Sequence, residues 1–89
     1  MCRNIQVLFN VEPAASAAEV RTAALQYVRK ISGGRSPSRA NAAAFEAAVT
    51  EIASSSERLL AALMTTAAPR SRAAAAARAK ARTAQRYGD

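Results

Sequence analysis

From Ile5 the chain alternates, with Ile5, Val7, Phe9 and Val11 on every second position, the period of a half-buried strand. Leu8 interrupts the pattern, and Ile5, Leu8 and Phe9 fit one helical turn equally well. A lone strand leaves its backbone hydrogen bonds open, and no second strand candidate occurs later in the sequence. The segment therefore either pairs with a copy of itself or packs on helices as an arm, and the arm is the favoured reading. Pro13 ends it.

Beyond Pro13 the apolar period lengthens to that of a helix. Ser16 and Glu19 have the spacing of a capping box, in which each side chain takes the other's backbone N–H. Val20, Ala24, Tyr27, Val28 and Ile31 then share one face, and the spacing predicts a helix over 17–32. Arg29 and Lys30 lie in its last turn, where cations suit the helix dipole, and Gly33 or Gly34 supplies the left-handed residue that stops it. Residues 35–41 read as a turn, with either Ser36 before Pro37 or Ser38 capping a second helix. That helix, over 38–65, carries Phe45, Val49, Ile52, Leu59 and Leu63 at heptad spacing, with Ser56 where a sixth apolar residue belongs. Leu60 and Met64 widen that seam. At 1.5 Å per residue it is roughly 40 Å long against about 24 Å for the first, so the shorter covers only part of it. The run Ala53–Ser56 is weak helix material, where a kink or break is expected.

Pro69 opens a third segment that is rich in alanine and holds nothing larger that is apolar between Ala67 and Arg86. Alanine favours helix, yet such a helix has almost nothing to bury, and the expectation is a detached or fluctuating helix that orders on a partner. The fold class read from this pattern is all-α. It comprises a small helical hairpin (17–32 and 38–65), an N-terminal arm, and a basic Ala-rich C-terminal tail or helix, divided into a domain over 1–67 and a tail over 68–89.

Composition sharpens the picture. Of the 89 residues 25 are alanine, there is no Trp, and Phe and Tyr occur twice each. A chain this short buries only about 60% of its unfolded surface, so a thin core makes a homodimer an expected partner. Eleven Arg and two Lys against six acids give a net charge of +7. Six basic residues against Asp89 alone place +5 of it on 68–89 and leave +2 for the first 67 residues. Alanine and arginine both have GC-rich codons, which discounts the charge as a sign of an anionic partner. With no His and one Cys, the chain has no disulfide of its own, no zinc site and no Ser-His or Cys-His pair. No Gly-rich phosphate loop, acidic cluster, signal peptide or membrane span is present. A non-catalytic cytoplasmic protein is expected, with no cofactor, no metal, no membrane and no small-molecule substrate.

Met1-Cys2-Arg3-Asn4-Ile5 at the start and Leu25-Gln26-Tyr27-Val28-Arg29-Lys30-Ile31-Ser32-Gly33 form a distinctive combination, with Pro37-Ser38, Ala40-Asn41 and Ala43-Ala44-Phe45 after them. Together they resemble a family of short bacterial proteins, the domain of unknown function numbered twenty-two seventy-seven, over essentially the whole chain. The resemblance implies a shared fold and supplies no activity. Ala14 stands where the family tends to repeat proline, Gly34 where a bulky residue often follows Ser-Gly, and the tail lacks the glutamates associated with relatives.

Three sets of residues are candidates for function. Arg70, Arg72, Arg78, Lys80, Arg82 and Arg86 could contact nucleic-acid phosphates. Arg78, Arg82 and Arg86 recur every four residues, and base-stacking aromatics are missing apart from Tyr87. The bland alternative is a solvated Ala/Arg tail. Removal of Met1 would leave Cys2 with its amine and thiol side by side, a thiol or metal-binding pair whose thiolate Arg3 favours; the plainer reading is an inert thiol. Arg21, Arg29 and Lys30 face either nucleic acid or, preferably, Glu46, Glu51 and Glu57 across the hairpin. The resulting order of functions is an accessory binding module gripping nucleic-acid backbones through its tail, then a homodimeric protein–protein interaction module, then chemistry at Cys2.

Overall fold

The computed structural model describes residues 5–34 and 36–87, with side chains described through Arg82. Helix α1 spans Ala17–Ser32, as the spacing predicts. The capping box is formed: Ser16 Oγ accepts from the Glu19 N–H at 3.2 Å, and Glu19 Oε1 accepts from the Ser16 N–H at 2.9 Å. At the other end Gly33 takes a left-handed φ of 78° and donates its N–H to the Arg29 carbonyl at 3.0 Å. No atom crowds a Cβ placed there, so the backbone angle alone requires glycine.

Helix α2 spans Ala42–Ala62 and is entered through a 3-10 turn at Arg39–Asn41, in which Asn41 N–H donates to the Ser38 carbonyl at 3.0 Å. The expected start at 38 is thus taken by a tighter turn, a common lead-in to an α-helix. The expected end at 65 is three residues too late. Thr65 Oγ1 accepts from the Ala67 N–H at 3.0 Å, a local bond that competes with helix, and Pro69 forces Ala68 out of helical geometry. No break occurs at Ala53–Ser56. Ser56 Oγ donates to the Ile52 carbonyl at 2.7 Å, so its hydroxyl is satisfied inside the helix.

The core lies between these two helices. Val20, Ala24 and Val28 of α1 pack with Val49 and Ala53 of α2, flanked by half-buried Leu8, Leu25, Phe45, Ile52 and Leu60. Alanines at both centres let the two backbones approach closely. Tyr27 and Ile31, expected on the same face, remain 46% and 65% exposed, because the 3.6-residue period carries Tyr27 to the edge of that face and Ile31 sits in the last turn.

The all-α expectation is corrected by a small sheet. Strands β1 (Val11–Glu12) and β2 (Arg70–Ser71) pair in parallel, Val11 opposite Arg70 and Glu12 opposite Ser71. The N-terminal arm therefore finds its hydrogen-bonding partner within the chain, a second strand that two residues without a period could not announce. Helix α3 begins at once, over Arg72–Tyr87. Asn10 makes the junction. It takes a left-handed φ of 54°, its carbonyl accepts from the Arg70 N–H at 2.8 Å, and its side-chain Nδ2 donates to the Ala67 and Ala68 carbonyls at 3.2 Å each. Asparagine tolerates that backbone better than other branched or bulky residues.

Asn10→Ala is expected to lower stability by about 2 kcal/mol, from the lost side-chain bonds and the strained φ together. Asn10→Gly loses the same bonds but relaxes the backbone, and should cost about 1 kcal/mol. Urea melts of both variants check this; equal costs would assign the whole effect to the side chain.

Candidate functional site

Helix α3 begins with Ser71, whose Oγ accepts from the Ala74 N–H at 3.1 Å and so caps the first turn. Arg72 is the first helical residue, a poor place for a cation beside the positive end of the helix dipole. Glu19 reverses that penalty. The Arg72 guanidinium forms a two-pronged ion pair with the Glu19 carboxylate, Nη1 to Oε2 and Nη2 to Oε1, the second at 3.3 Å. Its Nε lies buried without an acceptor. The Arg72 guanidinium first, then the Ser16 N–H, hold the Glu19 carboxyl down to about 2 from an ordinary 4.5, against a smaller opposing push from burial. Glu19 in turn raises the pKa of Arg72. One carboxylate thus caps α1 and anchors α3.

Past that anchor α3 stands away from α1 across a cleft of about 520 Å³. The arm contributes Val7, Leu8 and Val11 to its walls, α1 contributes Ala18 and Thr22, and α3 contributes Ala75 and Ala79. The short side chains on α3 leave the helix little to bury, so β2, Asn10 and the ion pair hold it at its N-terminal end.

The six basic residues of the third segment are not equivalent. Arg70 is exposed on β2, whereas Arg72 is half-buried and occupied by Glu19. Arg78, Lys80 and Arg82 are exposed on α3. At about 100° per residue, Arg78 and Arg82 share one flank of the helix and Lys80 falls on the opposite one. The side chain of Arg86 and the whole of Cys2 lie outside the described residues. Of the hairpin pairs expected, Arg21 meets Glu46 and also reaches Thr50 Oγ1 at 3.4 Å. Sequence reading missed Asn10 as a junction and Glu19 as the anchor of a residue 53 positions away. An asparagine closing an alternating run was a turn signal for the first; nothing local signals the second.

Among the described residues no group of three or more His, Cys, Asp or Glu is placed to hold a metal ion, and no helix is long and apolar enough to cross a membrane. The fold is a mostly helical one with a two-residue parallel bridge, and its site is a cationic helix pinned at one end. The family model described as "Uncharacterized conserved protein (DUF2277)" matches residues 1–78, and the chain belongs to that family. The matched stretch includes Asn10, Glu19, Arg70, Arg72 and Arg78, while Lys80, Arg82 and Arg86 lie beyond it. No curated protein and no solved structure matches the chain.

Proposed function

We propose that the protein is a non-catalytic accessory module that grips nucleic-acid backbones through α3. The observation that carries this reading is the charge of that helix: it holds no acidic residue over Arg72–Tyr87 and exposes Arg78, Lys80 and Arg82. Arg72, whose charge Glu19 already meets, drops out of the contact set. An α-helix fits the major groove of a duplex. Alanines between the cations let the helix lie close, so Arg78 and Arg82 reach the phosphates of one groove wall and Lys80 those of the other. Without aromatics to stack on bases, the contacts are to phosphate and carry no sequence preference.

Five remaining contacts, from Arg70, Arg78, Lys80, Arg82 and Arg86, set the logarithmic salt slope of duplex binding at about −4.5. The triple substitution Arg78→Gln, Lys80→Gln, Arg82→Gln should reduce it to about −2. Fluorescence anisotropy on a duplex and on its scrambled sequence reads both quantities. An unchanged slope, or affinity that differs between the two duplexes, overturns the reading. Neutralising the three side chains is the cleaner test, since deleting 69–89 would also strip the Asn10 carbonyl of Arg70 and Glu19 of Arg72.

A further inference from the structure

The cleft between the arm, α1 and α3 has one charged end and apolar walls. Among the described residues, Glu19, Arg70 and Arg72 are the charged side chains that line it. The Glu19–Arg72 pair joins two of them, and Arg70 lies two residues before Arg72, on β2 opposite Val11. Two guanidiniums against one carboxylate leave a single positive charge there, beside the positive end of the α3 dipole. Glu19 occupies both Nη atoms of Arg72. Arg70, by contrast, is exposed and has no acidic partner among the described residues. From that end α3 runs on past Ala75 and Ala79, and the arm faces the cleft with half-buried Leu8 and with Val7, 60% exposed. Thr22 on the α1 side already donates its hydroxyl to the Ala18 carbonyl at 2.9 Å, and the other polar lining residues, Gln6 and Gln26, are uncharged.

We infer that this cleft binds a single-chain carboxylate, its head on the Arg70 guanidinium and its chain between the arm and α3. A volume of about 520 Å³ with few polar groups suits a small ligand of that shape. The uncompensated positive charge selects an anion, and a carboxylic acid is ionised at neutral pH. The alanines of α3 are too short to meet the arm across the gap. A chain lying between them gives α3 the apolar contact that it lacks, so binding steadies the helix along its length as Glu19 steadies its start. Arg70 also belongs to the phosphate-contacting set, but the apolar walls do not, and the inference stands if that reading fails.

Titration of the full chain with sodium decanoate, below its micellar concentration and without nucleic acid, tests this by calorimetry and amide hydrogen exchange. Saturable binding of one decanoate per chain is expected, with a Kd on the order of 100 µM and slower exchange in α3. Arg70→Gln should weaken it about fivefold through the loss of one exposed ion pair. Decyltrimethylammonium, with the same chain and the opposite charge, should show no saturable binding. Ala75→Leu keeps a strong helix former and supplies from the protein the apolar group that the ligand provides. That variant should lose decanoate binding and yet slow α3 exchange without ligand, a combination that a misfolded protein would not give. The Arg78→Gln, Lys80→Gln, Arg82→Gln protein should bind decanoate as the parent does, which separates this cleft from the phosphate contacts. No saturable binding up to about 2 mM decanoate, equal affinity for decyltrimethylammonium, or parental affinity in Arg70→Gln or Ala75→Leu each overturn the inference. So does a triple variant that binds decanoate less well than the parent.

Discussion

Val49→Asp is expected to abolish the cooperative thermal transition. Val49 is 1% exposed and is the largest side chain of the core that is fully buried. It meets Val20, Ala24 and Val28, none of which offers a hydrogen bond. An ionised carboxylate there costs several kcal/mol even after relaxation. The stability of a domain this small sits at the low end of the range around 5 kcal/mol, so one such charge removes most of it. Val49→Ala isolates packing from charge: the smaller cavity should cost about 2 kcal/mol and lower Tm by about 10 °C. Val49→Thr keeps the shape, and its hydroxyl has the Phe45 carbonyl one turn back as a helical partner, so it should melt between the other two. Circular dichroism melts rank the three. An aspartate variant that still unfolds cooperatively near the parent Tm would show that the hairpin does not depend on this core.

The hairpin was legible because its signals are local. The bounds of α1 come from a cap, a face and a glycine within 18 residues of one another, and each of those features is seen in atomic contacts. The ends of α2 were less legible because its seam continues past the point where the helix stops. Leu63 and Met64 keep the apolar spacing, but the backbone needs of Thr65, Ala67 and Pro69 end the helix at Ala62. Spacing reports which residues would share a face if helical; it does not report where the chain must leave to reach Asn10.

The third segment was expected as a tail or helix and is a helix, but its attachment was missed for the opposite reason. Counting apolar side chains makes α3 a helix with nothing to bury, and that count is sound. What the count omits is that the segment is held by polar groups: backbone pairing of Arg70–Ser71 with Val11–Glu12, the two hydrogen bonds that Asn10 donates to the Ala67 and Ala68 carbonyls, and the Glu19–Arg72 pair. Such contacts join residues more than 50 positions apart, and no periodicity encodes them. They also alter the candidate site. Arg72 looked like one more tail cation in sequence and is the structural anchor of the helix that displays the others.

That anchor makes the second large effect predictable. Glu19→Gln retains a side chain able to close the capping box on Ser16 but withdraws the negative charge that offsets Arg72 at the start of α3. An isolated helix of 16 residues is marginal in water, and α3 has no apolar face to compensate. The variant should therefore keep the α1–α2 transition while α3 loses its hydrogen-exchange protection. Since α3 has 16 helical residues against 16 in α1 and 21 in α2, its melting removes roughly a third of the helical signal. Arg72→Gln should do the same, and the double variant should be no worse than either single one, because the two residues act as one contact. Acid gives an independent route to the same state. With its folded pKa depressed to about 2 from 4.5, Glu19 contributes its stabilisation in full above 4.5 and loses it as the pH falls toward 2. The parent protein should shed the α3 share of its helical signal across that window, and Glu19→Gln, having already shed it, should show no corresponding step there. A Glu19→Gln protein with full helical content and a protected α3 would mean that β2 and Asn10 suffice, and that the carboxylate only caps α1.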